Sequence, residues 1–242
     1  MAKKRISDVL IDVLASAGIE RIYGITGDSL NSVNDSLRRN GKIAFEHVRH
    51  EETAAFAAGA EASLTHKLTV CAGSSGPGNL HLINGLFDCH RNRVPVLAIA
   101  SHIPQSEVGL NYFQETHPEN LFKECSCFCE LVSNPKQMPE ILFRAMNAAV
   151  GNQDVAVIVL PGDVAVMEME IDELPVWTPP RLPHIVPQRD DIEEMAAHLE
   201  TGKRITLFCG AGCEGAHDEV VELAKRLQAP VVHAFRGKEW VE

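Results

Sequence analysis

Nowhere in the 242 residues is there an apolar run near the roughly 18 that a membrane-spanning helix requires. Positive charge is also scarce: 22 Lys and Arg stand against 33 Asp and Glu, a formal net charge of −11. Phosphate backbones and anionic lipid surfaces call for clustered Lys and Arg, so no nucleic acid is expected as partner, and small organic substrates fit better. No secretory leader is expected either. Met1 to Arg5 imitates a basic leader segment, but Asp8 and Asp12 interrupt the apolar stretch that follows, and Ile6, Val9, Val13 and Leu14 fall at helical spacing. With no leader and an odd number of cysteines, seven, free thiols in a reducing cytoplasm are expected instead of a disulfide framework. There is no internal repeat, no low-complexity tract, no Gly-x-Ser-x-Gly elbow, no His-Glu-x-x-His helix and no Gly-Lys-Ser/Thr phosphate loop.

What is present is a globular composition, 45 % apolar with 17 glycines, enough for one sizeable core and part of another. Apolar β-rich runs alternate with helical patterns, the order expected of an α/β fold with a doubly wound, mostly parallel sheet. Strands are predicted at 21–27, 42–47, 68–72, 95–100 and 155–160, with helices between them at about 28–39, across the alanine-rich segment near 51–62, at 79–91 and at 139–150. Residues 101–120 carry few periodic apolars, and an irregular loop of that length is more often functional than idle. Five prolines between 175 and 187 prevent helix and favour an extended spacer. The expected organisation is therefore a first domain over 1–174, a linker over 175–187 and a second α/β domain over 188–242. The latter, with helix 190–200, strand 205–209, helix 217–227 and strand 230–235, amounts to one βαβ unit. That is too little to cover both faces of a parallel sheet, so the second domain is expected to be incomplete.

Two glycine turns, at Gly27-Asp28-Ser29 and at Gly73-Ser74-Ser75-Gly76-Pro77-Gly78-Asn79, follow strands and precede helices, where open α/β sheets bind ligands; tight-turn geometry alone would also explain them. Gly210-Ala211-Gly212-Cys213-Glu214-Gly215 matches G-x-G-x-x-G, but no acidic residue ends the following strand near Phe235, so dinucleotide binding of the usual kind is not expected there. Cys125, Cys127 and Cys129 alternate with Phe128 between them, which predicts one strand with buried, inert thiols and no zinc site. His47, His50, Glu51 and Glu52 lack the order of a zinc-hydrolase helix, and no metal ligands are expected in this chain. That leaves the carboxylate pair Glu51-Glu52 at the mouth of a helix of tiny side chains. Adjacent helix positions point about 100° apart, so one acid can face the interior while the other meets solvent. A buried one would handle protons; favourable placement at the positive helix end is the plainer account.

Taken together, Gly27-Asp28-Ser29-Leu30-Asn31, Arg49-His50-Glu51-Glu52, Gly76-Pro77-Gly78-Asn79, Gly85-Leu86-x-Asp88, Val94-Pro95-Val96-Leu97 and Tyr112-Phe113-Gln114-Glu115 resemble the amino-terminal pyrimidine-binding domain of thiamine-diphosphate enzymes, and within that family the quinone-reducing pyruvate oxidases. The resemblance implies that Glu51 is the catalytic acid, bonded to N1′ of the aminopyrimidine so that the ring's exocyclic nitrogen can remove the C2 proton of the thiazolium. It implies that Gly27, Gly76, Pro77, Gly78 and Asn79 line the coenzyme pocket with Glu51, and that Phe113 and Gln114 reach the substrate. It further implies pyruvate as substrate, FAD as the first electron acceptor, a quinone as the second, and a homodimer or homotetramer with sites between subunits. The implied setting is the cytoplasm, with peripheral membrane contact only through a segment absent here. The family's Mg²⁺ and diphosphate belong to a separate domain that nothing here matches, and most of the FAD site is missing. By itself the chain is expected to be inactive. Acetolactate synthase-like carboligation, a stand-alone pyrimidine-domain subunit and a non-catalytic dimerisation module are the alternative readings.

Overall fold

A computed structural model of the chain describes residues 2–242, which form two units, one ending at Leu182 and the other running from Pro183 to Glu242. In the first, β1 (Ala2–Arg5) leads into α1 (Ile6–Ser16), and the strands β2 (Arg21–Gly24), β3 (Ala44–His47), β4 (Thr69–Gly73), β5 (Val96–His102), β6 (Phe128–Leu131) and β7 (Val155–Pro161) follow. Helices α2 (Asn31–Asn40), α3 (Glu51–Thr65), α4 (Pro77–Asn92), the short α5 (Pro118–Leu121) and α6 (Met138–Asn152) connect them, and α7 (Gly162–Val166) leads to β8 (Glu168–Ile171).

The six central strands lie in the order β3-β2-β4-β5-β7-β6, every pair parallel. The chain steps outward from β2 to β3 and then crosses back to β4, so strand order reverses between β2 and β4. The crevice outside the carboxyl ends of those strands is the place such sheets bind ligands. The doubly wound α/β reading of the sequence holds: α1, α2 and α6 supply the core of one face, and α3 and α4 cover the other.

The structure departs from the sequence-based expectations in three places. First, the basic segment ahead of the first helix is a strand, β1, paired antiparallel with β8 in the register Arg5↔Glu168. Its three consecutive basic residues conceal it, because a short two-stranded ribbon needs no alternating apolar face. Second, the strand expected at 21–27 ends at Gly24, because Gly27 is extended and caps a short 3₁₀ turn, Asp28–Leu30. Third, the three cysteines do not share a strand: β6 begins at Phe128, Cys125 is buried in the turn before it, and Cys127 is exposed, not buried. All seven thiols are free, and burial pushes those of Cys89 and Cys129 up to about 12, which leaves them inert as nucleophiles. Within the proline-rich stretch, Trp177 is buried and donates its Nε1–H to Asn147 Oδ1 at 2.9 Å, so this part of the segment is anchored to α6.

The second unit contains α8 (Arg189–Thr201), β9 (Leu207–Cys209), α9 (His217–Leu227), β10 (Val231–His233) and α10 (Lys238–Val241), with β9 and β10 paired in parallel. Phe208 and Phe235 of this unit are 74 % and 97 % exposed. Among the described residues no helix is long and apolar enough to cross a membrane.

Candidate functional site

Glu51 is the first residue of α3, placed at the carboxyl end of β3 by a three-residue connection, and it is only 8 % exposed. The extended His50 caps the helix, its Nδ1 accepting the backbone N–H of Glu52 at 3.3 Å. Burial of Glu51 follows from how tightly α3 and α4 pack. A Cβ on Gly85 would stand 2.6 Å from Ala55 Cβ and 2.8 Å from the Glu52 carbonyl oxygen, and one on Gly59 would stand 2.6 Å from Cys89 Sγ. Side chains this small let the two backbones approach, and the approach carries His81 of α4 to the carboxylate. His81 Nδ1 lies 3.1 Å from Glu51 Oε2, and the ring stacks on His50 with centroids 4.3 Å apart. The other oxygen, Oε1, faces Gly78, where a Cβ would sit 3.3 Å away. Glu52 turns outward and takes the Asn84 side-chain amide. One carboxylate in and one toward solvent is the division that helical geometry predicts.

The turn after β4 is built by contacts that exclude side chains. A Cβ on Gly27 would meet Ser74 Oγ at 2.3 Å, and Ser29 Oγ bonds Ser74 Oγ and accepts the Ser75 N–H, both at 2.9 Å. Gly76 has φ +66°, and a Cβ there would lie 2.8 Å from the Gln114 carbonyl oxygen. Pro77 opens α4, where its missing N–H has no partner to lose. Asn79 is fully buried; it donates Nδ2–H to the Ser101 carbonyl at 2.8 Å, while its Oδ1 has no partner.

Residues 103–117 are not featureless. A 3₁₀ turn at Gln105–Glu107 is held by Asp163, which accepts the Gln105 N–H at 3.1 Å, and the Glu115 carboxylate takes the backbone N–H groups of Gly109 and Tyr112. The Gly109 bond, with those from Tyr112 and Asn111, holds the Glu115 carboxyl below the usual range despite some desolvation. The loop closes one side of a cavity of about 300 Å³ whose lining includes Ser29, Ser32, His102, Tyr112, Phe113 and Gln114. His102 is 4 % exposed with Nδ1 unpartnered, and burial keeps its imidazole below the ordinary histidine range.

Of the residues the resemblance assigns to the coenzyme pocket, Gly78 faces Glu51, while Gly27, Gly76, Pro77 and Asn79 build the turns that follow β2 and β4. Phe113 and Gln114 line the cavity, whose lining does not include Glu51; the turn after β4 reaches both places, with Ser75 lining the cavity and Gly78 facing the carboxylate. The chemistry present suits the edge of a flat, hydrogen-bonding ring: a mostly buried carboxylate, a glycine beside its oxygen, and an unpartnered buried amide oxygen close by in sequence. Sequence reasoning missed His81, His102 and the Ser29–Ser74 bond. The signal for His81 was available, since Gly78, His81 and Gly85 follow at intervals of three and four and so share one stripe of α4.

Residues 4–121 match the family model for the thiamine pyrophosphate enzyme, N-terminal TPP binding domain, and residues 192–242 match that for the thiamine pyrophosphate enzyme, central domain. The chain is 58 % identical over its whole length to an uncharacterized 42.6 kDa protein encoded in an isoamylase 3′ region of Pseudomonas amyloderamosa, of which it spans 61 %. It is 31 % identical to a pyruvate oxidase of Lactiplantibacillus plantarum and 33 % identical to an acetolactate synthase of Arthrospira platensis, with 95 % and 98 % of this chain aligned against 38 % and 43 % of theirs. It thus covers less than two thirds of each. With two domain models of one family matched in order along the chain, it belongs to the thiamine pyrophosphate enzyme family.

Proposed function

We propose that this chain is the amino-terminal part of an enzyme that oxidatively decarboxylates pyruvate to acetate and CO₂, using thiamine diphosphate and FAD and passing the electrons to a quinone. The observation that carries the reading is the burial of Glu51 between the start of α3 and the Gly76–Gly78 turn, with one oxygen held by His81. Glu51 would hold a proton between its carboxyl group and N1′ of the pyrimidine. His81 fixes the carboxylate's orientation, so that the free oxygen points along one direction, and the half-buried Glu52 keeps out of its way. Gly78 leaves room for the ring edge beside Oε1, Gly27 lets the β2 and β4 turns close on each other, and Phe113 with Gln114 would shield the reacting end from water. Thiamine diphosphate, once bound, supplies the electron sink that decarboxylation of a 2-keto acid needs. The Mg²⁺ and most FAD contacts belong, on this reading, to parts of the enzyme outside this chain, and the site is completed between subunits of a homodimer or homotetramer in the cytoplasm.

The similarity to a pyruvate oxidase supports the substrate, and the comparable similarity to an acetolactate synthase names the rival reaction. Hydrogen–deuterium exchange at C2 of thiamine diphosphate is the test, run on this chain completed by a diphosphate-binding domain. Glu51→Gln should slow exchange by about 10²–10⁴-fold, the usual worth of a positioned acid–base group, while Glu52→Gln should change it little. Equal effects of the two substitutions would sink the assignment. Acetate as the product from pyruvate supports the oxidase; acetolactate supports carboligation.

A further inference from the structure

The tip of the loop after β5 holds a backbone that few residues adopt unaided. Gly109, Asn111 and Gln114 lie in the left-handed region, at φ +85°, +58° and +62°, and two of the three carry a Cβ. Such a conformation persists only where its surroundings impose it, and Phe113 supplies little restraint, being 79 % exposed. Glu115 supplies it instead. Its Oε1 accepts the Gly109 N–H and its Oε2 the Tyr112 N–H at 3.1 Å, so one carboxylate spans the turn that contains Asn111. The Glu115 N–H bonds the Tyr112 carbonyl at 3.0 Å and closes a second turn, whose central residues are Phe113 and Gln114. Gln114 in turn lies against Gly76, where a Cβ would stand 2.7 Å from the Gln114 Cβ. Asp163 ties down only the other end of the loop, at the Gln105 N–H. We propose that Glu115 is a positioning residue: its carboxylate latches the 109–114 turn, so that Phe113 and Gln114 stay at the cavity wall and retain the substrate there. The latch needs two acceptor oxygens because it holds two separate N–H groups. Glu115→Gln keeps the side chain's length but exchanges one acceptor for a donor, whereas Glu115→Asp keeps both acceptors at shorter reach.

The identity of the substrate, pyruvate, rests on the proposed function; the latch rests on the geometry of this chain. Backbone amide exchange on the chain, and steady-state kinetics on the chain completed by a diphosphate-binding domain, test it. In Glu115→Gln, exchange at Gly109 and Tyr112 should quicken about tenfold while circular dichroism and melting stay those of the parent. KM for pyruvate should rise about tenfold with kcat within about threefold, because the variant loses retention of substrate and no group that touches the coenzyme. Glu115→Asp should recover part of both losses, since acceptor oxygens and not side-chain length make the bonds. C2 exchange on bound thiamine diphosphate should match the parent in both variants, which separates this proposal from the role given to Glu51. Should the completed parent show no C2 exchange, the functional reading fails and the amide result decides the latch. Parent-like amide exchange or parent-like KM in Glu115→Gln, or a Glu115→Asp variant more impaired than Glu115→Gln, would overturn it.

Discussion

Strands β4, β5 and β7 send alternate residues to opposite sides, and the two sides are filled with different material. Toward α1 and α6 point Val70, Leu97, Ile99, Ile158 and Leu160; toward α3 and α4 point Cys71, Ala98 and Ala100, with valines at Val96 of β5 and along β7 the larger side chains. The first face gathers bulk and with it most of the transfer free energy of the fold, about 1.5–3 kcal/mol for each fully buried aliphatic side chain. The second gives up bulk for proximity: Ala54, Ala55, Ala58 and Gly59 of α3 lie against Gly85 and Cys89 of α4, and that closeness buries Glu51 and carries His81 to it. Stability and site geometry are thus assigned to opposite sides of one sheet.

If that division is right, damage to the two faces should differ in kind. Leu97→Ala, at a fully buried position of the bulky face, should cost about 2–5 kcal/mol in urea unfolding while leaving the Glu51–His81 contact in place. Gly85→Val should cost less, about 1–3 kcal/mol, because the added side chain meets the backbone of α3 at Glu52. Unlike Leu97→Ala, it should shift the His50 and His81 imidazole resonances in NMR; silence there would erase the distinction. Gly76→Ala, at φ +66° against Gln114, should cost about 1–3 kcal/mol and loosen the 109–115 loop, read as faster amide exchange at Tyr112 and Glu115.

The smallest effect belongs to the outer edge of the bulky face, where Arg5, Arg38 and Arg39 surround Asp35, and Asp8 takes bonds from Ser36, Arg5 and Arg39. Burial alone would push the Asp8 carboxyl up, but those bonds outweigh it and leave it below the ordinary range; the Arg5 bond, then Arg38 and Arg39, pull Asp35 down further. Both groups are depressed in the folded chain. Their contribution is therefore complete above the unfolded value near pH 4 and is lost as pH falls through the folded values. Asp8→Asn should change stability at neutral pH by less than about 1 kcal/mol and flatten its decline below about pH 4.

Most of this architecture was legible in the residues. Val96 to Ala100 and Val155 to Leu160 are strands on any reading of apolar runs, and α3, α4 and α6 lie within a few residues of their predicted spans. The inward turn of one of two adjacent acids followed from helical geometry alone. What stayed hidden depends on partners distant in sequence: β1 exists because β8 lies beside it, and Glu51 meets His81 because glycines at 59 and 85 permit two helices to touch. The valence left open on His102 Nδ1 likewise arises only when β5 and the 103–117 loop come together.

Trp177 carries one more consequence. The chain has two tryptophans, one seated in the groove beside α6 of the first unit and the other, Trp240, within α10 of the second. Each unit therefore contains its own fluorophore. Emission from Trp177→Phe and Trp240→Phe single variants would follow the melting of each half independently, showing whether the bulky core and the thinly covered βαβ unit denature as one or in succession.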